Sequence, residues 1–217
     1  MIAGIFAATG QTCIAGSRLL IHRAVKEKLL EALVERARTI VLGDPLEPST
    51  EMGPLANEQQ LRSVRGHIDR ALADGATLVT GAGDGGKGGL FLAPTIVDGV
   101  TPDMALANDE VFGPVLAVDV FDDEHEAIDK ANATRFGLAA GVWTIDVGRA
   151  HRVASRLRAG TVWVNSYRVV APQVPFGGVG DSGWGRENGT EAMHSFTETK
   201  AVWVELEGQT RDPFRMG

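Results

Sequence analysis

Apolar positions fall into two periodicities along this chain, and the alternation between them sets out the elements. Val25, Leu29, Leu33, Ala37 and Ile40 recur at helical spacing, which predicts an amphipathic helix ending at Gly43-Asp44-Pro45. Leu61, Val64, Ile68 and Leu72 predict a second helix, with Asn57 placed to cap its start and Gly75 just beyond its end. Residues 1–9 read as the last turns of a helix stopped by Gly10. Short apolar runs predict strands at Ser17 to His22, Thr77 to Thr80, Phe91 to Val97 and Val115 to Phe121. Asp84 to Gly89 reads as a glycine-rich turn. Farther on, a helix at Asp122 to Ala133, a strand at Leu138 to Ile145, a helix at Val147 to Leu157 and a strand at Thr161 to Asn165 alternate regularly. This β-α-β-α-β order predicts an α/β fold: a mostly parallel sheet covered by helices, with right-handed crossovers. Phe176 to Gly189 reads as a structured glycine-rich loop, Ala201 to Leu206 as a late strand, and Gln209 to Gly217 as a loose polar tail.

Composition narrows the class. The 217 residues suffice for one large domain, and the net charge of −7 argues against a nucleic-acid phosphate binder. No apolar run approaches the roughly 20 residues of a membrane span, so no membrane partner is expected. The first residues, Met1 to Phe6, have neither the basic flank nor the long apolar core of a secretory signal. One cysteine excludes an internal disulfide, and a reducing cytoplasm is the simplest compartment.

That cysteine, Cys13, lies in Gly10-Gln11-Thr12-Cys13-Ile14-Ala15-Gly16-Ser17-Arg18. A lone cysteine is by default a small buried hydrophobe. Small neighbours instead leave room for a substrate carbon, and the backbone N–H of Cys13 could serve an oxyanion. No histidine stands beside it, and a preceding helix C-terminus disfavours a thiolate, so a base must come from elsewhere. Glu110, ahead of a proline-led strand, suits sugar hydroxyls as acidic residues do in dinucleotide sites; the alternative is a solvated turn. The stretch Pro175 to Glu187 lacks both a strand–GxGxxG–helix unit and a Walker lysine, so a conformational loop fits better than a phosphate cradle. The five histidines are scattered without metal spacing, and no metal site is expected.

Taken together, these segments decide between the readings. The Cys13 stretch, Gly53-Pro54-Leu55, Glu110-Val111-Phe112-Gly113-Pro114, Gly160-Thr161-Val162-Trp163-Val164-Asn165, Pro175-Phe176-Gly177-Gly178 and Ser182-Gly183-Trp184-Gly185-Arg186-Glu187 occur in an order that resembles the aldehyde dehydrogenase superfamily, over about residues 4–206. The resemblance implies a three-layer α/β/α catalytic domain over 1–196, an oligomerisation strand over 197–208 and a tail over 209–217. It implies that Cys13 is the nucleophile that attacks an aldehyde carbon, that NAD or NADP takes up hydride, and that a thioester is then hydrolysed to the acid. It carries Glu110 to the nicotinamide ribose, Phe112 to the nicotinamide end and Gln60 to the adenosine-side ribose. Thr12 and Ile14 would flank the thiol, Phe176 would line the aldehyde tunnel and Arg168 stand at its mouth, where an arginine favours neutral or carboxylate-bearing aldehydes over trimethylammonium ones; the alternative for Arg168 is a solvated loop charge. A homo-oligomer is implied as well.

The family's general-base glutamate, oxyanion asparagine and dinucleotide-binding domain precede the nucleophile, and at most 12 residues precede Cys13 here. The chain is therefore expected to be a catalytic-region fragment, inactive by itself. A non-enzymatic remnant, or half of a split enzyme working with a partner chain, is the alternative. The intact Phe176 to Glu187 pattern resembles the hydrolytic, non-acylating branch of the superfamily.

Overall fold

A computed structural model of the protein describes residues 1–206, 208 and 214. The element order is α1 (Ile2–Phe6), β1 (Arg18–His22), α2 (Lys26–Arg38), α3 (Glu58–Ala73), β2 (Thr77–Thr80), β3 (Thr95–Asp98), α4 (Ala105–Asn108), β4 (Val115–Phe121), α5 (Glu124–Asn132), β5 (Ala139–Val142), α6 (Val147–Arg156) and β6 (Thr161–Val164). Side-chain caps start three of the four longer helices, α2 being the exception. Asn57, Asp123 and Asp146 each accept a hydrogen bond from the backbone N–H three residues on, satisfying a donor that the first helical turn leaves free.

Four strands form one sheet in the order β1-β4-β3-β2. The β1–β4 and β3–β4 ladders are parallel and only β2–β3 is antiparallel. The central strand β4 is apolar on both faces because both are covered. Leu116 and Val118, with Ile96 of β3 and Leu19 and Ile21 of β1, pack against Ile5 and Phe6 of α1 and Leu33 and Ala37 of α2. Val115 and Ala117, with Val97, point the other way, onto Leu61, Val64, Ile68 and Ala71 of α3. Alternation along each strand thus feeds two cores, one on each side of the sheet. This is the mostly parallel, helix-covered sheet that the chain's patterning predicts and the α/β/α layering that the resemblance implies.

Four details differ from the patterning. The expected β-α-β-α-β sheet is divided: β5 and β6 pair in parallel as a separate two-stranded ladder, with α6 as the crossover between them. The strand expected over Phe91 to Val97 begins at Thr95, because Pro94 brings no N–H to a ladder. The expected helix over residues 1–9 ends at Phe6, and a 3-10 turn follows in which Ala8 and Thr9 are left-handed. Ala201 to Leu206 form no strand within this chain, and their side chains are exposed. The expected tail falls outside the described residues, Phe214 excepted.

Candidate functional site

Cys13 occupies the tip of a tight turn. Residues Thr12 to Ala15 are closed by a hydrogen bond from Ala15 N to Thr12 O at 2.9 Å, which makes Cys13 and Ile14 the two central residues. The thiol is exposed, and no side chain among the described residues hydrogen-bonds to it. Ile14 and Thr12 are half-buried beside it, and the Thr12 hydroxyl oxygen is buried without a partner.

The backbone on both sides of the turn is fixed. Ahead of it, Ala8, Thr9 and Gly10 have φ of 54°, 58° and 68°, three left-handed residues in succession. The Thr9 hydroxyl donates to Gly53 O at 3.0 Å, and the Gln11 side-chain carbonyl accepts from Ala56 N at 3.0 Å. The Gly53-Pro54-Leu55 segment is therefore a strut under the thiol loop. Behind the turn, Gly16 N donates to Gly4 O at 2.8 Å, returning the chain to α1.

A second loop is drawn against the first. A Cβ on Gly10 would stand 2.0 Å from Gly113 O, so the thiol segment and the Glu110 to Pro114 segment meet backbone to backbone. Gln60, on the first turn of α3, donates from Nε2 to Val111 O at 2.8 Å and Phe112 O at 3.0 Å. Its amide is thus engaged in holding the second loop. Phe112 is left-handed at φ 54° and its ring is exposed. The exposed Glu110 carboxylate has no hydrogen-bond or ion-pair partner among the described residues.

The loop after β6 approaches from the other side. The Tyr167 ring lies 3.2 Å from the Cβ position of Gly4 and 3.4 Å from that of Gly16, and stacks edge-on against Trp163 at 4.8 Å between centroids. Burial holds its phenol above the ordinary value of 10.0, so the hydroxyl stays neutral. Arg168, left-handed at φ 63°, donates from Nη1 to Ala3 O at 3.2 Å, which ties its half-buried side chain to α1. Patterning gave no signal for Tyr167, Gln11 or Thr9, whose partners are distant in sequence.

Phe176 sits on the glycine-rich loop, which is as structured as expected. Phe176 and Glu187 exchange two backbone hydrogen bonds of 2.7 Å, and Arg186 Nη1 donates to Gly178 O at 2.7 Å and Gly185 O at 2.8 Å. This loop is anchored on the β5–β6 layer through Gly137, Gly160 and Ser182. No hydrogen bond among the described residues joins it to the thiol turn. The structure therefore gathers Thr12, Cys13, Ile14, Gln60, Glu110 and Phe112 around two touching loops, connects Arg168 to them through α1, and holds Phe176 on the neighbouring layer. Among the described residues no group of three His, Cys, Asp or Glu side chains is placed to hold a metal ion, and no helix is long and apolar enough to cross a membrane.

The sequence and fold are shared with known proteins. The profile of the aldehyde dehydrogenase family matches residues 1–202. The chain is 46% identical over 215 residues to a betaine aldehyde dehydrogenase of Brucella anthropi, covering 97% of this chain and 44% of the relative. It is 48% identical over 218 residues to the (Z)-2-((N-methylformamido)methylene)-5-hydroxybutyrolactone dehydrogenase of Acinetobacter baylyi, covering 99% of this chain and 44% of that protein. The NAD+ complex of aldehyde dehydrogenase from Bacillus cereus superposes with a TM-score of 0.92 at 43% identity, over 95% of this chain and 42% of that one. The chain thus spans less than half the length of these relatives, and across nearly its whole extent it belongs to the aldehyde dehydrogenase family.

Proposed function

We propose that these residues form the thiol-bearing part of an NAD(P)+-dependent aldehyde dehydrogenase that converts an aldehyde to a carboxylic acid. The observation that carries this reading is the exposed Cys13 at the tip of a turn whose backbone is fixed on both sides. A positioned thiol with small neighbours can form a C–S bond to a carbonyl carbon, giving up its proton as it does so. The turn presents the sulfur, Thr12 and Ile14 border it, and Phe176 would supply an aromatic wall. Loss of hydride from that carbon turns the adduct into a thioester, whose C–S bond water then cleaves, releasing the acid and restoring the thiol.

The second loop fits a nicotinamide dinucleotide. Glu110 offers a carboxylate with no competing partner among the described residues, suited to ribose hydroxyls, and Phe112 presents an exposed ring nearby. Gln60 is proposed for the adenosine-side ribose, and its amide also holds the Val111 and Phe112 carbonyls of this loop. When bound, the dinucleotide supplies the hydride acceptor for the oxidation.

By itself the chain is proposed to be inactive, because Glu110 and Phe112 would hold only one end of the dinucleotide. Binding no tighter than millimolar, roughly −4 kcal/mol, is expected in calorimetry. Micromolar affinity would overturn this part of the proposal. Coexpression with the N-terminal portion of the Brucella anthropi relative is expected to yield aldehyde-dependent NAD(P)+ reduction. Cys13→Ser should then lower kcat about a thousandfold or more. Reduction that survives Cys13→Ser would refute the assignment of the nucleophile.

Arg168 bears on the substrate. Its positive charge favours neutral or carboxylate-bearing aldehydes, with salt weakening the effect. The name of the Brucella relative raises the opposite reading, a cationic aldehyde. A comparison of kcat/KM for betaine aldehyde and a neutral aldehyde of similar size, in the complemented enzyme, separates the two. Preference for the cation, unchanged in Arg168→Ala, would remove the role given to Arg168.

A further inference from the structure

Between the C-terminal end of α2 and the edge strand β2 lies a cleft of about 370 Å3 that contains none of the residues assigned above. That size suits a small ligand. Its apolar surface comes chiefly from Ile40, Leu42, Ala93 and Pro94. Glycine lets the backbone pack tightly around it. A Cβ on Gly85 would come within 2.4 Å of Leu42 Cδ1, and one on Gly81 within 2.3 Å of Pro94 O.

Among the described residues, the only charged side chains lining the cleft are those of Arg38 and Lys87. This is notable in a chain of net charge −7. Neither cation has an ion-pair partner among the described residues. Arg38 Nε makes one long contact, 3.4 Å, to the Thr80 hydroxyl, and its two terminal nitrogens remain available. Two carboxylates close by in the chain have partners of their own. Glu51 accepts from Arg36 and from Val41 N, and Asp84 Oδ1 accepts from Gly86 N. The C-terminal end of the α2 dipole opposes an anion with only about half a charge, against two full positive charges.

We infer that this cleft binds a small organic phosphate monoester. A phosphate monoester carries roughly −1.5 to −2 charges at pH 7, which matches two cations better than a single carboxylate does. The Arg38 fork suits its oxygens, and the apolar surface takes the organic group.

The test is an amide-resolved NMR titration of the intact chain with phenyl phosphate. Saturable shifts are expected at Gly81, Gly85 and Lys87. Arg38→Glu and Lys87→Glu should each weaken binding about tenfold or more, and added salt should weaken it further. Benzyl alcohol, neutral and of similar size, should neither shift these amides at the same concentration nor compete. Both variants change exposed side chains, so an unaltered spectrum elsewhere verifies that they remain folded. Absence of saturable shifts at millimolar phenyl phosphate would overturn the inference. So would equal binding by the charge-reversed variants, or comparable binding of the neutral alcohol.

Discussion

Ala8 and Thr9 lie at φ 54° and 58°, where a Cβ crowds the following carbonyl. Nothing in an Ala-Ala-Thr-Gly run announces that conformation; propensity alone continues the helix to Gly10. Tertiary contacts impose it, through the Thr9 bond to Gly53 O and the approach of Gly10 to Gly113. Backbone held in this way beside the exposed Cys13 thiol is strain kept next to the candidate site. Ala8→Gly is expected to stabilise the fold by about 0.5–1 kcal/mol, the left-handed penalty less the entropy that glycine adds to the unfolded chain. Gly10→Ala should cost about 3 kcal/mol, since its Cβ would meet backbone rather than a movable side chain. Urea unfolding of both variants measures this. A destabilised Ala8→Gly would mean that the turn is not strained. Cys13 is a separate matter at this scale. Its type and neighbours were legible, and its exposure was not. Native protein should be alkylated at Cys13 by iodoacetamide, as read by mass spectrometry, and complete protection would contradict an accessible thiol.

At the level of elements, what could be read depended on how local its cause was. The α3 helix was legible because its apolar spacing and Asn57 cap act within a few residues. The β4 run was legible because both of its faces are buried. Division of the sheet was not, because periodicity does not say which strand pairs with which. The contact of the β6 loop with the thiol loop was equally hidden, since Tyr167 meets Gly4 and Gly16 from far along the chain. Tyr167→Ala should cost about 3 kcal/mol through lost packing on these glycines and on Trp163. Tyr167→Phe should stay within about 1 kcal/mol, because no hydrogen bond among the described residues engages the phenol oxygen. Equal losses in the two variants would show that the hydroxyl, not the ring, holds the loops. In α3, His67 gives a pH dependence. Burial, and then the neighbouring Arg70, hold it below the ordinary 6.5. As pH falls through 6.5 the unfolded chain takes up a proton that the folded chain refuses, so stability declines. His67→Gln cannot titrate, and a plot of urea midpoint against pH should be flatter for it than for the native chain between about pH 7 and pH 5. Parallel plots would exclude His67 as the cause.

For the whole molecule, the family and the layering were legible from six short segments in order, while which apolar side chains stay exposed was not. The apolar residues of the C-terminal region stand out from the body: Val202, Trp203, Val204 and Leu206 are all at least 70% exposed, and Trp184 and Phe196 are exposed as well. Residues 201–206 form no strand inside the chain, although their alternation predicts one. The two facts agree if the strand forms only against a second copy. Burial of a large apolar side chain yields about 1.5–3 kcal/mol. Four such side chains from each of two copies outweigh most of the roughly 4–15 kcal/mol that association costs. The expected outcome is a dimer or larger assembly by light scattering at tens of micromolar, and a shift toward monomer when the chain is cut after Lys200. If the intact chain is monomeric, or the shortened one associates equally well, residues 201–206 are not the contact. The charge of −7 opposes association only weakly at physiological salt, where repulsion is screened beyond about 8 Å. Lowering the salt should therefore weaken the assembly only slightly, which distinguishes apolar contact from charge pairing as its cause.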